Sequence, residues 1–401
     1  MKGKTYSTQK RSKQQPLSHK DREHRLIQRA LHRQIELYRS PSDQTPELTP
    51  EEPYVEENRP VTKPNRAMET VPLVTVVIPV FNKEADLASC LHSLLNSSHS
   101  NLEVICIDDC STDGSREIIS EFGLIDTRVR QYFQDGNRGA SVARNIGIGL
   151  ATGKYIMFLD GDDMLAPDAV NSLVERAKLT DADIVRGKIT GLRQDGSRHK
   201  LAAEDLLHHN DAERVAWAKE ESLWFYWYFT ANLYRRKFLL DQHIMFPAGI
   251  RNEDPQFLCR CFMSTTKISL LNQIVYYYRI GSEQVRKTPS QSFLRGFALG
   301  NYSISQYIQN HNLAMQYFLI QLPSVRQHAH NMVKHLPVQS AQKLIHYLAL
   351  MYKKLDVEMV EFPERQPWER KRTLSSVDVR FAELVKTSTA PQIYNTLREE
   401  L

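Results

Sequence analysis

The sequence of 401 residues has no run of about eighteen apolar residues, which is the length that a membrane-spanning helix requires. Its first residues are basic but no apolar segment follows them, so we expect neither a membrane span nor a secretory signal. The five cysteines are odd in number and form no Cys-x-x-Cys pair, which makes a reducing cytosol the simplest expectation. These absences predict a globular cytoplasmic protein, in which any membrane contact is peripheral and lies at the inner face.

The charge of the sequence is mild overall and uneven along the chain. Lysine and arginine number 52 and the acidic residues 47, a surplus too small to predict a nucleic-acid partner. Residues 1–40 hold eleven basic and three acidic residues, whereas residues 41–70 hold three basic and seven acidic residues. The first 70 residues therefore differ in character from the rest of the chain.

Residues 1–70 are rich in Lys, Gln, Ser, Glu and Pro, and we expect most of them to be disordered. The exception is residues 19–39, where apolar and basic residues recur at helical spacing on opposite sides. The apolar stripe contains Ile27, Leu31, Ile35 and Tyr38. This basic amphipathic helix suits either an anionic membrane surface or docking on its own domain or on a partner protein. Residues 41–72 follow as a Pro- and Glu-rich linker.

From residue 71 onward, apolar strands alternate with helical patterns. The predicted strands are Leu73–Val80, Leu102–Ile107, Val129–Phe133 and Tyr155–Leu159. Their alternation with helices predicts a parallel sheet that is covered on both faces and built from right-handed crossovers. All four strands deliver polar residues at their C-terminal ends, where open α/β sheets bind ligands.

Later segments complete the predicted domain plan. We expect helices at 167–178 and 256–263, strands at 182–189 and 268–279, and a hairpin turn at 194–197. Residues 290–401 follow a mostly helical pattern, with breaks predicted at Pro323, Pro337, Pro363 and Pro367. The sequence thus predicts an N-terminal segment at 1–70, an α/β domain at 71–285 and a helical region at 286–401.

The fourth strand ends abruptly in three acids, Asp160, Asp162 and Asp163. If the extended conformation persists into the turn, the carboxylates of Asp160 and Asp162 point to the same side and can share one hard cation. An Asp-Gly turn with solvated acids is the alternative interpretation. These residues taken alone are equally compatible with both.

Five motifs occur in a fixed order between residues 73 and 280. They are Thr75–Asn82 (TVVIPVFN), Ile107–Ser115 (IDDCSTDGS), Asn137–Gly147 (NRGASVARNIG), Asp160–Asp163 (DGDD) and Glu253–Phe257 (EDPQF). In this order they resemble the family 2 glycosyltransferases of the GT-A fold, and residues 231–247 and 276–279 resemble the capsule and lipopolysaccharide branch of that family. The resemblance does not extend to residues 1–70 and covers residues 290–401 only thinly. It implies a Rossmann-like, mostly parallel mixed sheet with helices on both faces, followed by a helical C-terminal region.

The resemblance also implies a nucleotide-sugar donor, with a UDP-sugar as the expected one. A carboxylate after the second strand, from either Asp108 or Asp109, would accept a hydrogen bond from the imide N–H of uracil. Pro79 and Phe81 would border the nucleotide, with the ring of Phe81 packing on the base. Arg144 would reach the base or a phosphate. A turn acid, a core ring and a surface arginine are the structural alternatives for these positions.

Asp162 is implied as the main ligand of a divalent metal ion, with Asp160 beside it and near the ribose. Mg²⁺ or Mn²⁺ suits an oxygen-only site that phosphates and waters complete. The ion would neutralise the charge that develops on the leaving diphosphate. Arg279 would close over the same diphosphate, and a plain surface arginine is the alternative.

An inverting transfer also needs a base that takes the proton of the acceptor hydroxyl, and Asp254 matches the position of that base in the family. Glu253 is expected to orient the acceptor, and both residues can also cap the helix near Gln256. The expected acceptor is a surface glycan or glycolipid, such as lipopolysaccharide or capsular polysaccharide. A sugar nucleotidyltransferase is one alternative, against which the glycine-free loop at 79–84 counts, and a non-catalytic glycan-binding protein is the other.

Overall fold

A ten-stranded sheet forms the centre of the protein in the computed structural model. The structure describes residues 71–401 without 202–203, 205–209, 216–219, 221–222, 224–227, 250, 252, 281–288, 309–310 and 355–375. The predicted amphipathic helix at 19–39 and the linker at 41–72 lie outside the described residues, except for the last two linker positions. The same is true of the breaks predicted at Pro363 and Pro367.

The order of the strands across the sheet is β3-β2-β1-β4-β9-β6-β10-β5, with β7 paired to β6 and β8 paired to β10. The strands are β1 Val74–Val80, β2 Leu102–Asp108, β3 Val129–Phe133, β4 Tyr155–Phe158, β5 Met164–Leu165, β6 Ile184–Leu192, β7 Arg198–His199, β8 Ala212–Val215, β9 Asn232–Arg235 and β10 Ile268–Arg279. The predicted strand ends agree with these bounds to within three residues.

Parallel pairing brings the C-terminal ends of β1, β2, β3 and β4 to one edge of the sheet. Strand β9 runs antiparallel between β4 and β6, and β10 pairs in parallel with β6. The sheet is therefore mixed, and the predicted α/β class is confirmed. Strand β5 follows the acidic turn directly and pairs antiparallel with β10 at Tyr276 and Tyr277, which draws that turn toward β10.

Helices cover both faces of the sheet and continue to the C-terminus. They are α1 Leu87–Leu95, α2 Ser115–Ile125, α3 Ala140–Leu150, α4 Ala169–Thr180, α5 Arg236–Asp241, α6 Asp254–Met263, α7 Gln291–Tyr307, α8 His311–His335, α9 Val338–Lys354, α10 Ser376–Thr387 and α11 Ala390–Glu399. Within the part of the chain that the structure describes, no helix is long and apolar enough to cross a membrane.

Pro323 lies inside α8, so the helix break predicted there is wrong. A proline in a helix interior removes one backbone hydrogen bond and clashes with the preceding turn, at a cost of about 3 kcal/mol. Leu322 and Val325 are fully buried on either side of it. Burying two such side chains stabilises by about 3–6 kcal/mol, which is enough to offset that cost. Tertiary packing therefore keeps the helix continuous through the proline.

Alternate residues of β1 belong to two hydrophobic clusters, one on each face of the sheet. Val76 and Ile78 pack in the first cluster, and Val77 packs in the second. The C-terminal helices join the Val77 side through residues such as Leu294 on α7 and Leu348 on α9. The helical region therefore shares a hydrophobic core with the sheet.

A polar network around Glu103 ties the first three strands together. The carboxylate of Glu103 on β2 accepts hydrogen bonds from the Thr75 hydroxyl on β1 at 2.6 Å and from the Thr152 backbone N–H at 2.8 Å. The same carboxylate pairs with Arg130 on β3 at 2.5 Å. Burial alone would raise the pKa of Glu103, but these partners together hold that pKa below its ordinary value. The network fixes the strands whose ends carry the acidic motifs.

Candidate active site

A cavity of about 1180 Å³ opens at the edge where β1, β2 and β4 end. Its sheet side includes six of the residues that the sequence analysis selected. They are Pro79, Phe81, Asp109, Arg144, Asp160 and Asp162. Glu253 before α6 lines the cavity as well, and α7 and α9 supply the opposite wall. A concave site of this size at the C-terminal strand edge is large enough for a nucleotide-sized ligand.

The two aspartates after β2 have different surroundings. Asp108 is fully buried and accepts hydrogen bonds from the Ser111 backbone N–H at 3.2 Å and from Arg116 Nε at 2.6 Å. It does not line the cavity, so its interactions hold the turn and α2. Asp109 does line the cavity. The structure thus distinguishes Asp109, which lines the cavity, from Asp108, which does not, whereas the sequence could not tell them apart.

The carboxylate of Asp109 accepts three hydrogen bonds from within the chain. The donors are Gln134 Nε2 at 2.8 Å and the backbone N–H groups of Arg138 and Gly139 at 2.7 Å each. A carboxylate has about four lone-pair positions, so one acceptor position is left for a ligand donor. Gly139 adopts φ 89°, a left-handed conformation that favours glycine, and this conformation aims its N–H at Asp109.

The acids after β4 lie in a turn and do not continue the strand. β4 ends at Phe158, and the Asp163 backbone N–H donates to the Asp160 carbonyl at 2.9 Å. The extended conformation that would have aimed Asp160 and Asp162 to one side is therefore absent. Asp160 pairs with Arg144 Nη2 at 2.8 Å, and Asp162 pairs with Lys83 Nζ. Both carboxylates line the cavity, and each is paired with a different basic side chain.

Asp163 is buried and connects the turn to β10. It accepts hydrogen bonds from the Tyr276 hydroxyl at 2.6 Å and from the Arg279 backbone N–H at 2.8 Å. Burial, with the nearby charge of Asp160 adding to it, raises the pKa of Asp163 to about 8. Asp163 therefore holds the turn in place, and Tyr276 supports it further by accepting from the Asp160 N–H at 3.2 Å.

Arg279 supports the same turn from its other side. Its Nε donates to the Asp162 carbonyl at 2.9 Å, and its Nη1 pairs with Asp86 at 3.1 Å. Arg279 does not line the cavity, so its interactions fix Asp162 from behind. A contact of its guanidinium with a diphosphate remains a prediction.

Arg144 on α3 bridges two acids of the site. Its Nη1 donates to Glu253 at 2.8 Å and its Nη2 donates to Asp160 at 2.8 Å. The guanidinium carbon lies 4.4 Å from the ring centre of Phe229 and 5.3 Å from that of Phe246, within the range of cation–π attraction. Burial would lower the pKa of Arg144, but Asp160 and Glu253 raise it above its ordinary value. Arg144 therefore stays charged although it is buried.

Local backbone contacts explain how Arg144 reaches this position. A Cβ at Gly147 would overlap the side chain of Val77, so glycine allows α3 to pass close to β1. Asn145 donates to and accepts from the backbone of Phe246, at 2.8 Å in each direction. These contacts fix α3 against the loop that precedes α6.

Asp254 is the first residue of α6, directly after Glu253, and is partly buried. Burial, together with the nearby charge of Glu253, raises the pKa of Asp254 well above its ordinary value, and Arg144 only partly opposes that shift. The side chain of Asp254 does not line the cavity, whereas that of Glu253 does. The expected base, Asp254, therefore does not itself line the cavity, although its neighbour in the sequence does.

Several residues of the site were missed by sequence reasoning. Lys83 pairs with Asp162, and the only signal for it was its place in the loop after β1. Arg251, Arg295, Lys343 and Tyr347 line the opposite wall. No motif marks these four: Arg251 lies just before the Glu253–Phe257 motif, and the other three are brought to the cavity by α7 and α9, which follow the motifs in the sequence.

The fold and the site together define a glycosyltransferase of the GT-A class, and comparisons with known proteins support this. Over 82% of its length the chain superimposes on 91% of a crystal structure of TarS from S. aureus in complex with UDP-GlcNAc, with a TM-score of 0.65 and 17% identity. At that identity the likeness establishes the fold alone.

Sequence comparisons give the family. The model of glycosyl transferase family 2 matches residues 75–246. The chain is 30% identical to the glycosyltransferase GlyG of Streptococcus pneumoniae over 230 residues, which are 54% of this chain and 73% of GlyG. It is also 30% identical to the uncharacterized glycosyltransferase EpsJ of Bacillus subtilis over 249 residues, which are 60% of this chain and 71% of EpsJ. The chain belongs to glycosyltransferase family 2.

Proposed function

We propose that this glycosyltransferase moves a sugar from a UDP-linked donor to a hydroxyl group of a surface glycan or glycolipid, such as lipopolysaccharide or capsular polysaccharide, with inversion at the anomeric carbon. The observation that carries the proposal is the meeting of Asp109, Asp160, Asp162 and Glu253 in one cavity. The nucleotidyltransferase and the non-catalytic binding protein are less well supported, because the family is one of sugar transferases.

The nucleotide is proposed to bind at the ends of β1 and β2. Phe81 is 44% exposed and faces the cavity, so its ring is available to pack on a base. Asp109 keeps one acceptor position, which suits the imide N–H of uracil. The UDP-GlcNAc in the TarS crystal structure further supports a UDP-linked donor for this fold.

The residues fit a divalent cation of the Mg²⁺ or Mn²⁺ type. Among the described residues no cluster of three or more His, Cys, Asp or Glu side chains forms a complete metal site. Such cations are usually held by one or two carboxylates together with substrate phosphates, and Asp162 and Asp160 on the cavity wall meet that requirement. When bound, the cation would supply charge neutralisation for the departing diphosphate.

Asp254 is proposed as the base that accepts the proton of the acceptor hydroxyl. A carboxylate whose pKa is raised by burial holds a proton better than an exposed one, which favours general-base catalysis near neutral pH. Glu253 is held by Arg144 and is proposed to position the acceptor beside it. Asp254 would have to reach the hydroxyl past Glu253, so the acceptor is expected to enter from the side of α6.

The release of UDP from a panel of UDP-sugars, with Mn²⁺ present, tests this proposal. The wild-type protein is expected to hydrolyse at least one donor slowly without acceptor, and Asp162→Asn should abolish that reaction. Asp254→Asn should lower acceptor-dependent transfer by a factor of about 10²–10⁴. Melting temperatures check that each variant is folded. Full transfer by folded Asp254→Asn would refute the base assignment, and no turnover of any donor by the wild-type protein would refute the donor class.

A further inference from the structure

The wall of the cavity opposite the sheet carries positive charge. Three cations line it, Arg251 before α6, Arg295 on α7 and Lys343 on α9. All three are exposed, and no hydrogen bond or ion pair joins their side chains to any residue that the structure describes. These three residues form the basic wall of the cavity.

The sheet side of the same cavity differs in this respect. Lys83 and Arg144 are both engaged there with Asp162, Asp160 and Glu253. Arg138 also lines that side, and its exposed side chain has no partner among the described residues. Charges on that side are therefore largely compensated within the chain, whereas the charge of the basic wall is not. An uncompensated cluster of one sign in a concave site attracts ligands of the opposite sign.

Helix geometry shows that the basic wall is built into the fold. On α7 four of the six lining residues, Ser292, Arg295, Gly296 and Leu299, recur at the three- and four-residue spacing of one helix face. Ser340, Lys343, Leu344 and Tyr347 do the same on α9. Each helix thus presents one cation and an apolar surface to the cavity.

Gly296 brings two of these cations onto one wall. A Cβ at this position would overlap the backbone carbonyl of Arg251, so only glycine allows α7 to pass this close to the loop before α6. Glycine inside a helix is destabilising by up to about 1 kcal/mol relative to alanine. The close approach gives a structural reason for that residue and sets Arg295 beside Arg251.

We propose that the basic wall binds the acceptor, and that this acceptor carries phosphate groups. A phosphate offers oxygen atoms in several directions and matches cations that arrive from three separate elements, whereas a carboxylate presents two oxygens in one plane. The apolar surface of Leu299, Leu344 and Tyr347, on the same helices as Arg295 and Lys343, suits the faces of sugar rings. The inference rests on the proposed function, because it takes the sheet side of the cavity as the donor site.

The phosphate can belong to a glycan polymer or to a lipid diphosphate, and two probes distinguish these sources. One is a fluorescein-labelled glycerol-phosphate hexamer, and the other is a labelled farnesyl-diphosphate-linked N-acetylglucosamine. Labelled maltohexaose serves as the neutral control. Binding to the full chain is measured by fluorescence anisotropy, and binding of UDP with Mn²⁺ is measured by calorimetry on the same samples.

The double variant Arg295→Glu/Lys343→Glu tests the wall, and Arg380→Glu/Lys353→Glu is its matched control. The control residues are exposed cations on α10 and α9 that do not line the cavity. We expect at least one phosphate probe to bind the wild-type chain about tenfold more tightly than maltohexaose, and the wall variant to lose about that factor. The control variant should bind the phosphate probe as tightly as the wild-type chain does. The wall variant should keep the wild-type affinity for UDP. Arg295→Gln/Lys343→Gln supplies the same comparison if charge reversal prevents folding.

Three results would overturn the inference. They are equal binding of both phosphate probes and maltohexaose, an equal loss in the control variant, and a parallel loss of UDP affinity in the wall variant, which would assign the cations to the donor. Failure of the wild-type chain to bind UDP is a different outcome. It would count against the proposed donor, while the comparison of probes would still decide the basic wall.

Discussion

Replacing Arg144 should reveal how strongly the acids of the site depend on one buried cation. Arg144 is only 5% exposed and is the shared partner of Asp160 and Glu253. Arg144→Met keeps much of the side-chain volume and leaves both carboxylates without that partner. Removing one member of a buried ion pair costs about 3–5 kcal/mol. The Asp160 side chain is 30% exposed and regains some hydration, so we expect a loss near the lower end, about 3 kcal/mol.

Two further variants separate the contributions to this loss of stability. Arg144→Lys keeps the charge but cannot hold both carboxylates in one plane, so one charge-assisted hydrogen bond is lost, at about 1.5–3 kcal/mol. Adding Glu253→Gln to Arg144→Met removes one unpaired charge and should recover about 1 kcal/mol. Arg144 and Glu253 are in contact, so the changes in unfolding free energy that the two substitutions cause should not be additive.

Urea unfolding followed by circular dichroism measures these differences. Arg138→Met is the matched control, because Arg138 lines the same cavity but is exposed and contacts Asp109 only through its backbone. The control should remain within about 0.5 kcal/mol of the wild-type protein. The reasoning fails if Arg144→Met is as stable as the control, or if Glu253→Gln destabilises the Arg144→Met protein further.

Three other substitutions test separate parts of the structure. Glu103→Gln should lower the free energy of unfolding at neutral pH by about 1–3 kcal/mol. The folded pKa of Glu103 lies below its unfolded value, so its stabilisation is present above the unfolded pKa and is lost as the pH falls through the folded one. In urea titrations the difference in unfolding free energy between wild type and variant should therefore narrow as the pH falls below about 4.3, the ordinary pKa of a glutamate, and a difference that stays constant would contradict the charge argument. Gly296→Ala should lower the melting temperature, whereas Gly149→Ala, which has open space around it, should not; equal behaviour would remove the packing argument. Lys83→Met should strengthen Mn²⁺ binding about tenfold in an electron paramagnetic resonance titration, because the ammonium group competes for Asp162, and weaker binding would show that Lys83 assists the metal.

The sheet could be predicted from the sequence because its central strands are buried on both faces. Such strands read as continuous apolar runs, and β1 and β2 are buried along their whole lengths. Strand β9 was not predicted as a strand, because only four residues pair and they follow an aromatic segment without period-two alternation. Length and patterning thus decide which strands the sequence reveals.

Site residues could be predicted where they immediately follow a strand, because a strand end fixes their position. Asp109 comes directly after β2 and Asp160 comes two residues after β4, and both line the cavity. The direction of each side chain could not be predicted. Asp108 turns inward to Arg116 on α2, and the bond from the Asp163 N–H to the Asp160 carbonyl forms the turn that separates Asp160 from Asp162.

The two sides of the cavity should respond differently to salt if the proposed division between donor and acceptor is correct. On the sheet side most charges are already paired, as Lys83 is with Asp162, so a ligand there must largely exchange partners with them. On the basic wall it meets Arg295 and Lys343, which are exposed and have no partner among the described residues, so its attraction is a net gain that salt screens. Raising the ionic strength from about 0.05 M to about 0.5 M should therefore weaken the phosphate glycan probe more than UDP. Equal weakening would mean that both ligands depend on the same uncompensated charges, and the division of the cavity would have to be abandoned.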